Sequence, residues 1–198
     1  GYEGPLFSPG FSFNVPTQEA YDAFEPGDLR RDVTVLDIEA WAAETDAVYT
    51  TGNEHTGYFN RKYLPRTRSD QAENDLNLTN PNNYRAIRYS DVLLMAAEAY
   101  NVGGLSDATA QDYLNQVRRR AFGDNNHDIT LGGAALTEAI YNERRLELMG
   151  EGHRFFDLVR TGQAADKIDG FTAGKNELFP IPIEEMGFNP SWTQNPGY

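Results

Sequence analysis

The chain of 198 residues contains no cysteine. Disulfides, zinc–thiolate sites and a thiol nucleophile are therefore excluded. Basic residues are few, 17 Lys and Arg against 30 Asp and Glu, and the formal net charge is −13. A chain that binds nucleic acid carries a basic patch, and this composition suggests none. The same deficit argues against an anionic membrane surface as partner. No apolar run approaches the roughly 20 residues needed to span a bilayer. Nothing at the start reads as a signal peptide; the chain opens GYEGPLFSPGF, without Met, which reads as a fragment or a processed chain. The three histidines, His55, His127 and His153, form no HExxH and no pair at ligand spacing, and no GxSxG, GxGxxG or P-loop occurs. No metal and no cofactor are expected.

What the chain does have is a globular composition, 39% hydrophobic and 12% aromatic, too aromatic for a disordered segment. Its length suits one domain or a large part of one. Residues 1–89 are loop-rich, with Gly4, Pro5, Pro9, Gly10, Pro16, Pro26 and Gly27 recurring. PTQEAYDAF predicts a short helix capped by Thr17 and stopped by Pro26. VTVLDI (33–38) alternates and is β-branched, so it predicts a strand. YTTGNEHTGYFNRKY predicts a loop with some extended structure.

Residues 90–101, SDVLLMAAEAYN, are apolar nearly all round and predict a helix buried on most sides. Residues 107–121 place Ala110, Tyr113, Leu114, Val117 and Ala121 on one helical face. The short NVGGLS connection makes the two segments an αα-hairpin. A third helix is predicted from about Thr137 to Met149 and a fourth over HRFFDLVRTG. Two helix pairs of about 35 residues each approach the tetratricopeptide period. The tail from Gly170 carries Phe179, Ile181, Ile183, Phe188, Trp192 and Tyr198, and is expected to wrap the helices and be ordered by burial. The expected organisation is a mainly α fold. It has a loop-rich segment at 1–89, a helical repeat core at 90–162 and an irregular tail at 163–198 packing on the helices. All three belong to one domain, a piece of a larger protein.

Residues 143–162, ERRLELMGEGHRFFDLVRTG, raise the central chemical question. On a helix Glu143, Glu147 and Glu151 share a stripe, which like charges tolerate only if cations interleave. The segment supplies Arg144, Arg154 and Arg160, with Asp157 among them, and Arg–carboxylate pairs suit partly buried charge. A glycosidase reading would take two of these carboxylates as acid and nucleophile. Crowding by arginines opposes the raised pKa such an acid needs, so these seven residues read as a structural ion network and not as catalytic groups. DNNHD (124–128) fails the calcium-loop pattern, having Ile129 where Gly is required and Ala135 where an acid is required; it reads as a polar turn. RRR (118–120) sits at a helix end and complements the helix dipole. Trp41, Tyr49, Tyr58, Phe59 and Tyr63 crowd the polar first half, either as core beneath loops or as faces for sugar rings or protein partners. For a ligand, Trp41, Tyr49 and Tyr58 are the candidates, flanked by Thr50, Thr51, Asn53 and Asn60; Trp192 is a weaker one.

An ordered series of motifs runs along nearly the whole chain: PTQEAYDAFEPGDLRRD, TGYFNRKY, YRAIRYSDVLLMAAEAYN, YLNQVRRRA, ERRLELMGEGHRFFDLVRTG, LFPIPIEEM and QNPGY. In this series the chain resembles the C-terminal part of the SusD/RagB family of glycan-capturing outer-membrane lipoproteins. The resemblance implies a mainly α fold with tetratricopeptide-like helix pairs. It also implies non-catalytic binding of an oligosaccharide or other nutrient, and a cell-surface location. The implied partners are a SusC-like TonB-dependent transporter and the N-terminal portion of the same protein, which would carry the lipid anchor. The rival readings are a helical-repeat scaffold for protein partners and a glycoside hydrolase. The shared motifs identify no particular glycan.

Overall fold

The computed structural model describes the backbone of residues 2–3 together with residues 14–45, 48–52, 54–64 and 82–198. The recurrent Gly4, Pro5, Pro9 and Gly10, and Asn53 near the aromatic candidates, lie outside the described residues. The chain forms two compact units, Gly1–Glu151 and Gly152–Tyr198.

In the first unit, β1 (Tyr2–Glu3) pairs antiparallel with β3 (Val48–Tyr49), and β2 (Val35–Asp37) pairs antiparallel with β4 (Tyr58–Asn60), Leu36 opposite Phe59. The short helices are α1 (Gln18–Asp22), α2 (Arg31–Thr34) and α3 (Ile38–Glu44). VTVLDI yields only three strand residues. Its first two belong to α2, and Asp37 ends the strand by turning to cap α3, its carboxylate accepting from the Glu39 and Ala40 amides. Thr17 caps α1, as the sequence suggests.

Three longer helices follow: α4 (Tyr89–Val102), α5 (Asp107–Phe122) and α6 (Gly133–Glu147). Ser106 caps α5 by accepting from the Thr109 amide, and Gly123, at φ +79°, ends it in the left-handed conformation. The four-residue connection folds α4 and α5 into a hairpin. The third helix begins a turn earlier than its periodicity indicates. Asp107 accepts from the Gly133 amide at 2.7 Å, while Thr137 donates to Asn101 at 2.6 Å. Asp107 of α5 thus satisfies α6's free N-terminal donor, which no local residue does, and Asn101 of α4 ties down the Thr137 hydroxyl.

The main core joins Leu93, Leu94 and Ala97 of α4, Ala110, Leu114 and Val117 of α5, and Leu136 and Ile140 of α6. A second cluster gathers Leu36, Ile38 and Phe59, and a third joins Phe24 and Val35 to Leu146 of α6. This third cluster explains why the loop-rich segment and α4–α6 fall in one unit. Helix α4 is not buried on most sides. Val92 and Met95 are each 44% exposed, and with Tyr89, Ala99 and Val102 they form an exposed apolar stripe at helical spacing.

The second unit holds α7 (Arg154–Arg160), α8 (Ala164–Lys167) and α9 (Ile183–Phe188). Its tail is not ordered by burying its apolar load: Phe179, Ile183 and Phe188 are 78–81% exposed. Hydrogen bonds fix it instead. Gln194 accepts from the Ile181 amide and donates to the Ile181 carbonyl, Asn195 donates to the Phe179 carbonyl, and the Tyr198 hydroxyl donates to the Leu178 carbonyl. QNPGY is therefore a polar clasp on the LFPI segment.

Candidate functional site

The stripe Glu143, Glu147, Glu151 runs down the last turns of α6 and just beyond it, and all three residues are buried. The cations that neutralise it come from far away in sequence. Arg30 reaches Glu143 at 2.5 Å and Glu147 at 3.0 Å while gripping Asp28 through Nε and Nη2. Arg88, just ahead of α4, donates to Glu147 at 2.5 Å and to Glu151 at 2.7 Å. Lys62 donates to Glu151 at 2.6 Å. Two of the three arginines at the end of α5 join them: Arg118 pairs with Glu143 at 2.8 Å and Arg120 with Glu147 at 2.5 Å, whereas Arg119 turns to Asp128.

Arginines adjacent in sequence do not serve this stripe, because neighbouring helical residues project in different directions. Arg144 pairs with Asp91 of α4 at 2.8 Å, and Arg145 with Glu19 of α1. Asp157 and Arg160 form their own i, i+3 pair within α7 of the second unit, and Arg154 is half-buried at the start of that helix.

Burial opposes ionisation of Glu147, but the Arg120 and Arg88 guanidinium groups outweigh it and bring its pKa down to about 2. Burial opposes the charge on Glu151 too, and Arg88 and Lys62 overcome it, holding the carboxyl below its ordinary value. For Lys62 burial wins, pushing the ammonium below its usual range despite the Glu151 bond. A carboxyl at about 2 carries no proton at neutral pH, so Glu147 has none to give a departing sugar oxygen.

The same cations finish the helix. The Glu147 carbonyl, an orphan acceptor at the negative end of α6, takes hydrogen bonds from Lys62 Nζ and Arg88 Nη2. The following turn is pinned by Asn60, which donates to the Gly150 carbonyl at 2.9 Å, and by the Tyr84 hydroxyl, which donates to the Glu151 carbonyl at 3.1 Å. Gly150 is required there. Its φ is +75°, and a Cβ would lie 2.5 Å from Asn60 Nδ2. A cavity of about 220 Å³ opens on this network. A larger one, about 620 Å³, lies where the first turns of α4 meet the last turns of α5.

The three aromatic candidates do not converge. Trp41, on α3, and Tyr49, on β3, both pack half-buried against the Leu36–Ile38–Phe59 cluster, and Tyr49 stacks on His55 with ring centroids 5.7 Å apart. Tyr58 belongs to the neighbouring cluster, stacked on Tyr21 at 4.6 Å with its hydroxyl donating to Gln18 at 3.0 Å. The separation follows from strand geometry: Tyr58 precedes Phe59 in β4, and successive strand side chains face opposite ways. Thr50 and Thr51 are exposed beside Tyr49. Asn60 is engaged by the Gly150 turn and by the Lys62 amide. Trp192 lies in the second unit, 47% exposed. The DNNHD turn closes on itself, Asp124 accepting from the Asn126 amide and pairing with His127. Among the described residues no cluster of three or more acidic or imidazole groups is placed to hold a metal.

Sequence reasoning missed Arg30, Lys62, Arg88, Arg118 and Arg120 as the partners of the glutamates, since pairings across 25 to 117 residues leave no local pattern. One signal was present: Arg30 lies in LRRD and Arg88 in YRAIRYSD, charge set against apolar or aromatic neighbours in segments already distinctive as motifs.

Comparison with known proteins bears on this arrangement. The model of the SusD family matches residues 16–177. SusD-like protein P25 of Formosa agariphila is 30% identical over 91% of this chain, which spans 34% of that relative. SusD-like protein P2 of the same organism is 28% identical over 97% of the chain, which spans 41% of it. Among solved structures, surface glycan-binding protein A from Bacteroides fluxus is 35% identical, with a TM-score of 0.80 over 100% of this chain and 43% of that one. Surface glycan-binding protein A from Bacteroides thetaiotaomicron, in complex with laminarihexaose, is 32% identical, with a TM-score of 0.79 over 96% of this chain and 43% of that one. With a family match over most of its length and this shared fold, the chain belongs to the SusD family.

Proposed function

We propose that this chain is part of a non-catalytic, cell-surface carbohydrate-binding protein that captures an oligosaccharide for an outer-membrane uptake complex with a SusC-like TonB-dependent transporter. The observation that carries the reading is the likeness, at TM-score 0.79 and 32% identity, to a glycan-binding protein solved with laminarihexaose. Its non-catalytic character is supported by the saturation of Glu143, Glu147 and Glu151 with guanidinium and ammonium groups, which leaves no acid–base pair within this stripe. Trp41 and Tyr49 are the proposed ligand contacts: two half-buried aromatics on one cluster offer faces on which sugar rings stack, with the Thr50 and Thr51 hydroxyls near Tyr49. Tyr58, stacked and hydrogen-bonded elsewhere, fits packing better.

The apolar stripe Tyr89, Val92, Met95, Ala99 and Val102 suits cover by further chain of the same polypeptide; the relatives it matches are more than twice as long. A glycan array on the full-length protein, run beside a hydrolysis assay, tests the function. Binding without cleavage is expected; release of reducing ends, abolished by Glu147→Gln, would overturn the non-catalytic reading.

A further inference from the structure

The smaller cavity has a charge balance opposite to that of the molecule. The protein carries a net charge of −13, yet five cationic side chains converge here: Arg30, Lys62, Arg85, Arg88 and Arg120. Among the described residues two carboxylates face them, Glu147 and Glu151, and both are fully committed. Glu147 accepts from Arg30, Arg88 and Arg120, and Glu151 from Arg88 and Lys62. Behind the lining, Asp28 and Glu143 absorb the remaining demand of Arg30.

Arg85 is left over. Its guanidinium donates to the Lys62 carbonyl at 3.1 Å and lies over the Tyr63 ring at 4.7 Å, and no carboxylate pairs with it among the described residues. A second group in the same lining is also unanswered. Thr34 is 2% exposed, and its hydroxyl oxygen has no hydrogen-bond partner among the described residues. A buried hydroxyl without a partner is uncommon in folded proteins, and a bound water or ion is one way to account for it. Thr34, with its unpaired buried hydroxyl, and Arg85, an exposed guanidinium with no carboxylate partner among the described residues, thus line one cavity whose described side chains carry more cations than carboxylates.

We infer that this cavity is a binding site for a single oxyanion, a carboxylate or sulfate group such as an acidic saccharide carries. Arg85 supplies a guanidinium with donors left beyond its bond to the Lys62 carbonyl, and its planar fork matches two oxygens at once. Arg120, half exposed at 55% and held by one contact to Glu147, has donors to spare. The Thr34 hydroxyl donates from the buried side. At about 220 Å³ the cavity is smaller than the roughly 300–1,000 Å³ of sites for drug-sized ligands, so it takes one charged substituent or one small acid and not an oligosaccharide. The site is separate from the aromatic cluster of Trp41 and Tyr49. It stands or falls on anion binding alone, whatever neutral glycan the protein takes.

The test is calorimetric titration of the full-length protein with sodium sulfate, sodium glucuronate and glucose, at constant ionic strength in chloride. At least one of the two anions is expected to bind, with a dissociation constant of about 1 mM, and glucose is not expected to bind in this cavity. Sulfate alone would define a tetrahedral site and glucuronate alone a carboxylate site. Arg85→Gln and Thr34→Val should each weaken binding by about fivefold or more. Sulfate also stabilises proteins nonspecifically, so the loss in the variants is the decisive reading. Thr34→Val removes a hydroxyl with nothing to lose, and its anion-free melting temperature should stay at or above that of the wild type. No heat beyond the chloride control with either anion, or wild-type affinity in both variants, would overturn the assignment.

Discussion

The end of α6 and the aromatic face of α3 and β3 lie in one compact unit and use side chains in opposite ways. At the end of α6 charge is buried and answered: Glu147, 2% exposed, meets three guanidinium groups drawn from residues 30, 88 and 120. On the α3–β3 face Trp41 and Tyr49 are half-buried, resting on a small apolar cluster, with Tyr49 stacked on His55. The first arrangement fixes where distant segments meet and leaves little chemical freedom. The second keeps two aromatic rings partly exposed at small cost to the fold. Carboxylates at catalytic-looking spacing are thus the brace, and the modest aromatic pair is the better candidate for ligand contact.

Removing one partner from the brace should have the largest effect. Glu147→Ala leaves Arg30, Arg88 and Arg120 buried or half-buried without their shared acceptor, and breaking such a pair costs about 3–5 kcal/mol. Chemical denaturation should show that loss. A variant as stable as the wild type would remove the brace from the comparison. Acid probes the same group without mutation. Glu147 falls from 4.5 to about 2 on folding, so its contribution is complete above about pH 4.5 and drains away as pH drops toward 2. The total is on the order of 3 kcal/mol, from 1.36 kcal/mol per unit. Glu151, shifted the same way, steepens the loss. A flat stability profile from pH 5 to pH 2.5 would show that these carboxylates are not specially held.

Gly150→Ala comes next. It forces a side chain into a left-handed backbone position and against Asn60, costing about 1–2 kcal/mol from the backbone alone. Pairing it with Asn60→Ala should recover the steric part and not the backbone part. Gln194→Ala in the second unit should cost less, about 1 kcal/mol, and act locally by speeding amide exchange at Ile181, whose N–H it leaves without its acceptor.

Periodicity carried the helical hairpin into view, because Ala110, Leu114, Val117 and Ala121 recur at helical spacing along α5 and are buried for that reason. It misjudged α4, whose Val92 and Met95 are as apolar as their buried neighbours yet lie exposed; composition does not reveal which face a partner covers. The tail misled for the same reason. Phe179 and Phe188 suggest burial, while Gln194, Asn195 and Tyr198, bonding to backbone, hold the shape. The glutamate stripe was legible as a stripe, but its partners were not. The brace is assembled from segments that meet only in the folded chain. The splitting of Tyr58 from Tyr49 could have been read from the strand alternation at Tyr58–Phe59.

The division of labour between brace and aromatic face is tested most directly by calorimetry of the full-length protein with a glycan it binds, comparing Trp41→Ala with Tyr58→Ala. Stacking on an open face gives weak binding, about 0.1–1 mM in the wild type. Trp41→Ala is expected to weaken it about tenfold while leaving the fold intact, and Tyr58→Ala, which loses its stack on Tyr21, is expected to lower the melting temperature with affinity unchanged. Wild-type affinity in Trp41→Ala, or loss of affinity confined to Tyr58→Ala, would contradict the assignment of ligand contact to the α3–β3 face.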